Sequence, residues 1–317
     1  MATTTSITST YAGESAGQYI SAALLSGSTI ENGGITVKPN VKFKEVIKKV
    51  STNDLVKDAS CDFDATSTIT LTERILQPEY QQVNLQLCKK DFQSDWEAIK
   101  MGYSAHDNLP PSFSDFLIAH VAAKVAQRTE QSIWAGSTAT SGQFDGLTTL
   151  LAADADLPSA NEVAGTSVTA SNVIAELGKI VDAIPSALYG AEDLNIYVSQ
   201  NIARAYIRAL GGFGASGLGA AGVNSMGTQW WNNGSLSFDG VKLFVANGLA
   251  NDTAVAAEKS NLFFGTGLLA DHNEVKVIDM ADIDGSQNVR IVMRFTAGVQ
   301  YGIVDDIVTY GISNVAN

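Results

Sequence analysis

Apolar residues recur at helical spacing most clearly between Pro110–Pro111 and Gly136. Phe113, Phe116, Leu117, His120, Val121, Val125 and Ala126 fall on one side, while Lys124, Gln127, Arg128, Glu130 and Gln131 occupy much of the rest. The two prolines hold the preceding backbone extended and cannot sit inside a helix, so a helix starts just after them. Ser112 caps that start, Asp115 adds a negative charge to the first turn, and Gly136 stands just past the last helical residue. The pattern predicts a helix over 112–135, a rod of roughly 35 Å. Packing supplies most helix stability in proteins, so a rod this long needs a neighbouring surface along most of its length.

Before this helix the pattern changes. Residues 1–34 are polar and rich in Ser, Thr and Gly, with one apolar patch around Ile20 to Leu25, and cannot bury enough surface to fold alone. They read as an arm that becomes ordered against a partner subunit, or as a disordered tail. Val41, Phe43, Val46 and Ile47 suggest a strand or short helix ending before Ser51. Ile69–Thr72 and Val83–Leu87 alternate apolar with polar residues, and Gln77–Pro78–Glu79 connects them. The span 41–92 thus reads as an extended antiparallel excursion, thin in large apolar residues, with Lys57, Asp58, Asp62 and Asp64 in its middle. Trp96, Ile99 and Met101 mark a short helix over 91–101.

After the long helix, Gln143–Leu147 marks a turn and the chain to Thr169 is mostly loop. Val173, Ile174, Leu177, Ile180, Val181 and Ile184 form a helical stripe ended by Pro185. Leu194–Val198 is a strand, and Ser199 caps a second helix bearing Ile202, Tyr206, Ile207 and Leu210. Leu236–Phe238 and Val241–Val245 flank Asp239–Gly240, which suits the type I′ turn of a hairpin. Between them Gly211–Gly234 reads as a long glycine-rich loop carrying Trp230 and Trp231. Val275–Ile278, Val289–Phe295 and Val299–Val308 read as strands that supply the surface the long helix needs. In the middle one Val289, Ile291, Met293 and Phe295 face one way, and Arg290 and Arg294 the other.

Composition narrows the function. The 317 residues are 45% apolar, enough for one large core or two modest ones. A formal net charge of −13 argues against sequence-independent nucleic-acid binding through clustered cations. Cys61 and Cys88 are too far apart for a CxxC motif, and no third thiol completes a cysteine-based zinc site. They read as free thiols in a reducing compartment, with a single disulfide as the alternative. The N-terminus lacks the basic region and apolar run of a signal peptide, and no stretch is apolar enough to span a membrane, so a soluble, non-exported chain is expected.

Candidate chemistry is sparse. Gly212-x-Gly214-x-x-Gly217 and Gly217-x-Gly219-x-x-Gly222 match the dinucleotide fingerprint literally. That motif works only after a strand and at the opening of a helix, and here a helix precedes it. His106, His120 and His272 have no histidine at helical spacing, and His120 reads as a packing residue of the long helix. Asp305–Asp306 lacks calcium-loop spacing, and there is no nucleophile elbow. No catalytic, cofactor or metal site is expected, and the chain does not read as an enzyme.

Several phrases remain: Leu109–Phe113 before the long helix, Glu130–Gly136 closing it, then Phe144–Leu147, Phe238–Val241 and Asn261–Gly267. With the order of parts, they resemble a tailed-bacteriophage major capsid protein of the HK-ninety-seven type, over nearly the whole chain. The resemblance implies an α+β fold with an N-terminal arm at 1–40 and an extended two-stranded loop at 41–92. It implies a peripheral domain at 93–165 and 269–317, whose spine helix at 112–135 packs on a β-sheet, and a compact α/β axial domain at 166–268. It further implies self-assembly, through pentamers and hexamers, into an icosahedral head shell enclosing double-stranded DNA without sequence-specific binding. The implied partners are a separate scaffold protein, a portal and decoration proteins, with no membrane; the implied locations are the host bacterial cytoplasm during assembly and then the virion. The chain begins too close to its arm for the removable scaffolding segment of some relatives. In such shells the loop lies over a neighbour, which makes Lys57, Asp58 and Asp62 interface candidates, and the axial tip adds Trp230 and Trp231. No motif marks Lys57 for the covalent crosslinking of some relatives. An encapsulin-like nanocompartment shell shares the implied fold, and a dinucleotide-binding oxidoreductase rests on the glycine loop alone.

Overall fold

The computed structural model describes residues 28–52, 56, 58, 61, 68–88, 111–210, 236–267 and 276–314, without the side chains of 111–119 and 282. The helix expected at 91–101, His106, His272, the glycine-rich stretch 211–234 and residues 1–27 lie outside this range. So do the side chains of Ser112, Phe113, Asp115, Phe116 and Leu117.

Helix α1 (Ser28–Glu31) and strand β1 (Thr36–Lys38) come first. Strands β2 (Glu45–Thr52), β3 (Ile69–Leu76) and β4 (Glu79–Cys88) follow. β2 runs past its expected end because Ser51 and Thr52 pair with Thr70 and Ile69. The long helix α2 (Pro111–Ala135) begins on the second proline, which has no intrahelical hydrogen bond to lose at the first position. It stops at Gly136 by close approach and not by a left-handed turn: a Cβ there would lie 2.2 Å from the Phe144 carbonyl oxygen.

Next come α3 (Leu147–Ala152), β5 (Glu162–Val163), α4 (Val173–Ala183), β6 (Leu194–Val198) and α5 (Gln200–Leu210). β7 (Ser237–Phe238) and β8 (Val241–Val245) form the expected hairpin. Asp239 and Gly240 have φ of 44° and 79°, the double left-handed signature of a type I′ turn. The chain closes with β9 (Ala254–Glu258), β10 (Leu262–Gly265), β11 (Lys276–Asp279), α6 (Ala281–Asp284), β12 (Asn288–Tyr301) and β13 (Val308–Tyr310).

The described residues form three sheets: a five-stranded one in the order β1-β10-β12-β11 with β4 also on β12, a six-stranded one in the order β5-β13-β9-β6-β8-β7, and the β2–β3 ribbon. Strand parity sorts the inner residues of the six-stranded sheet into two cores. Leu194, Ile196 and Val198 of β6, with Ala254 and Ala256 of β9, pack with Leu177 and Ile180 of α4 and Ile202 and Tyr206 of α5. Tyr197 and Val255 point the other way, into a core shared with Trp134 of α2, Leu147 of α3 and Met293 of β12. On β12, Val289, Ile291, Met293 and Phe295 are buried while Arg290 and Arg294 are exposed, as the alternation predicts.

Several expectations are corrected. β4 does not belong to the extended excursion: it pairs with β12 over ten positions, so only β2 and β3 project. Strand pairing also crosses the expected domain boundaries. β10 joins β12 in the five-stranded sheet, and β13 inserts between β5 and β9 in the six-stranded one. The strand expected over 299–308 is interrupted, because Asn261 Oδ1 accepts the backbone N–H groups of Gly302 and Ile303 and Asn161 donates to the carbonyls of Asp305 and Ile307. The long helix meets β11 and β12, as expected, but its last turn packs Trp134 on Tyr197 of the six-stranded sheet, with ring centroids 5.0 Å apart.

Glu130, assigned to the polar side of that helix, is 1% exposed. Its carboxylate accepts Thr29 N–H at 3.0 Å and Thr29 Oγ1–H at 2.5 Å, and Trp134 Nε1 donates to the same Thr29 hydroxyl at 2.8 Å. Burial pushes the Glu130 carboxyl above its ordinary pKa against the pull of these bonds and of the Gly248 and Asn247 amides. The segment from Ser28 onward is therefore anchored within its own chain: Ser28 and Thr29 are buried, and Tyr197 Oη donates to the Gly34 carbonyl at 2.5 Å.

Candidate assembly interface

The two faces of the β2–β3 ribbon differ in chemistry. Directly across the ribbon, Val46 opposes Ile75, Lys48 opposes Glu73, Val50 opposes Leu71 and Thr52 opposes Ile69. Residues two apart on a strand share a face, so these eight make one surface. That surface is open. Val46 and Ile75 are each 43% exposed, Val50 62%, Leu71 68% and Ile69 70%.

The opposite face, which carries Ile47 and the fully buried Leu76 among its polar residues, is fastened to the body. Lys49 pairs with Asp305, and Arg74 reaches Asp154 at 2.6 Å while lying 4.7 Å over the Tyr301 ring. Tyr301 Oη donates to Asp154 Oδ2 at 2.6 Å, and Gln300 Nε2 donates to the Ile75 carbonyl at 3.2 Å. Burial works to raise Asp154, but the Tyr301 hydroxyl, the Asp156 amide and Arg74 outweigh it and hold the carboxyl below its ordinary range. Burial and then Asp154 push the Tyr301 phenol above its own. A lone two-stranded ribbon is marginal in water, and these anchors hold its root in place. The ribbon's ion-pairing side chains Lys49 and Arg74 are thus spent on the protein's own body, and its row of five aliphatic side chains is left to solvent.

Of the residues expected at an interface, Asp58 is exposed near the ribbon tip, where Val56 is 93% exposed. Lys57, Asp62, Trp230 and Trp231 lie outside the described residues. The ribbon's apolar row was missed as a site, although its signal was present as the alternation of Val46 and Val50 and of Ile69, Leu71 and Ile75.

A second open feature lies between α2 and β4, a cleft of about 460 Å³. The consecutive residues Gln81–Leu85 of β4 line it. Opposite them, His120, Lys124 and Arg128 descend α2 at one-turn spacing above Val121, Val125 and Phe295. Among the described residues no group of His, Cys, Asp and Glu could hold a metal ion, and no helix is long and apolar enough to cross a membrane. Cys61 and Cys88 are both free.

No protein-family model and no curated protein sequence matches the chain. Solved structures do. The capsid of a native GTA particle is 13% identical, with 93% of each chain covered and a TM-score of 0.59. The capsid of Myoviridae phage XM1 is 12% identical, with 92% of this chain and 94% of that one covered and a TM-score of 0.58. The capsid of cyanophage P-SCSP1u is 14% identical, with 95% and 91% covered and a TM-score of 0.54. Similarity this low in sequence and this broad in coverage is a likeness of backbone architecture over the whole subunit. The α+β chain has the tailed-phage capsid fold that the order of its parts resembles.

Proposed function

We propose that the chain is a major capsid protein that self-assembles into a closed shell around double-stranded DNA. The observation that carries this reading is the ribbon's outward apolar face on a subunit of capsid fold. Covering the exposed parts of Val46, Val50, Ile69, Leu71 and Ile75 yields roughly 6 kcal/mol gross per ribbon. Association entropy consumes much of that, which leaves one contact weak and reversible. A shell repeats the contact many times, and weak contacts let misplaced subunits leave before closure. The sparse interior of the ribbon is then completed by a neighbouring copy.

The finer parts of the reading are pentamers and hexamers, a separate scaffold, a portal, assembly in a bacterial cytoplasm and residence in the virion. A net charge of −13 suits a container that holds DNA without gripping it. Nothing in this function calls for catalysis. Electron microscopy and sedimentation of the full chain expressed in bacteria test the reading: closed isometric particles support it, and a chain that stays monomeric under all assembly conditions overturns it. Protein cargo in place of DNA inside native particles overturns the nature of the contents.

A further inference from the structure

We propose that the cleft between α2 and β4 receives the β11–α6–β12 turn of a second copy, in a head-to-tail contact separate from that of the ribbon. The proposal rests on the shell reading above and names one of its interfaces.

Residues Val289–Val292 of β12 pair with β11 and also with β4. A strand has two edges, so β4 and β11 lie on opposite sides of β12. Among the described residues each pairs with no strand but β12, which leaves an outer edge on both sides of this part of the sheet. Open edges are ready templates for pairing with another chain.

The two sides are chemically opposite. The cleft beside β4 has apolar walls from Val83, Val121, Val125 and Phe295 together with His120, Lys124 and Arg128, and among the described residues no carboxylate lines it. In a chain of net charge −13 that lining is a departure from the composition. On the β11 side, Ile283 is 67% exposed, the most exposed large aliphatic side chain among the described residues outside the ribbon and its tip. Asp282 and Asp284 flank it in sequence, and Arg290, near Asp284, offsets part of their charge. One side thus offers an exposed apolar knob followed by an exposed acid, Asp284, and the other an apolar recess lined by His120, Lys124 and Arg128.

Within one chain, β4 and β11 border opposite edges of β12. Between two subunits the two surfaces fit, and complementary patches on opposite sides of a protein associate head to tail, the arrangement that builds rings. Charge complementarity also selects the occupant. The recess takes an acid-flanked aliphatic, and this chain displays one in every copy of the shell.

The test is a charge swap in the full chain. Reversing one side (Lys124→Glu with Arg128→Glu) or the other (Asp282→Lys with Asp284→Lys) is expected to lower the yield of assembled particles at least roughly tenfold. Combining all four substitutions is expected to restore it to within roughly threefold of the unsubstituted chain, since the swapped charges again attract. Rescue cannot come from variants that merely fail to fold. Particle yields unchanged in both double variants, or a combined variant no better than either, overturn the contact while leaving the shell reading intact. An unsubstituted chain that forms no particles overturns the shell reading itself.

Discussion

Leu71→Asp separates the ribbon's role in assembly from any role in folding. Leu71 is 68% exposed on the outward face, so in the free subunit the change should alter stability by no more than about 0.5 kcal/mol. Between subunits the account differs. About 1.5 kcal/mol of apolar burial is lost, and a carboxylate must be desolvated against Val50 at a further cost of a few kcal/mol. Glu73, two residues along on the same face, adds repulsion that Lys48 relieves only in part. A total near 4 kcal/mol weakens each contact about a thousandfold. Thr70→Asp is the control: it introduces the same charge at an exposed position of the same strand, on the opposite face. Melting followed by circular dichroism should show two subunits as stable as the parent, and sedimentation should show particles for Thr70→Asp only. Particles from Leu71→Asp at normal yield, or equal loss in both variants, would refute the assignment of the ribbon face.

Three further outcomes test the interior. Thr29→Val removes the hydroxyl that serves both Glu130 and Trp134, and should cost about 2–4 kcal/mol in urea unfolding, with Thr29→Ser recovering most of it. Asp154 has a carboxyl pKa below the ordinary 3.8, so its ionised form contributes stability that is present above the unfolded value and lost as pH falls through the folded one. Asp154→Asn should therefore be less stable than the parent near neutrality, with the gap closing below about pH 4 in unfolding titrations. Val121 is 6% exposed, and an aspartate there buries an unpaired charge at a cost of more than about 4 kcal/mol, whereas Gln127→Glu on the half-buried flank of α2 should leave soluble protein. Equal solubility of those two variants would contradict the packing assigned to the helix.

Local chemistry was legible in the sequence wherever neighbours along the chain decide the outcome. Asp239–Gly240 dictates its turn, Pro185 stops α4, and the alternation along β12 survives in its burial. What the sequence hid depends on partners far away. Glu130 looks like a surface acid until Thr29, 101 residues earlier, fills its hydrogen bonds. β10 and β13 are short runs of similar character, and nothing within four or three residues says which sheet each will join. The ribbon poses a subtler case. Alternation reveals two unlike faces but not which one turns inward, and here the ion pairs of Lys49 and Arg74 with remote carboxylates decided it. The capsid fold was legible chiefly in the order of the parts, because no single phrase of the sequence carries it.

The position of β13 bears on the timing of biosynthesis. This strand fills the slot between β5 and β9, is wholly buried, and locks there as Tyr310 Oη donates to Glu176 at 2.8 Å. Ribosomes make its residues some fifty positions after β9 and directly after Gln300, Tyr301 and Asp305, which anchor the ribbon, so a nascent chain carries an unanchored ribbon beside an unfinished sheet. Pairing across such sequence separations is slow, and an open slot invites pairing with the wrong chain. Folding of the six-stranded sheet thus waits on β13, and both the sheet and the root of the ribbon close only when residues 300–310 are in place.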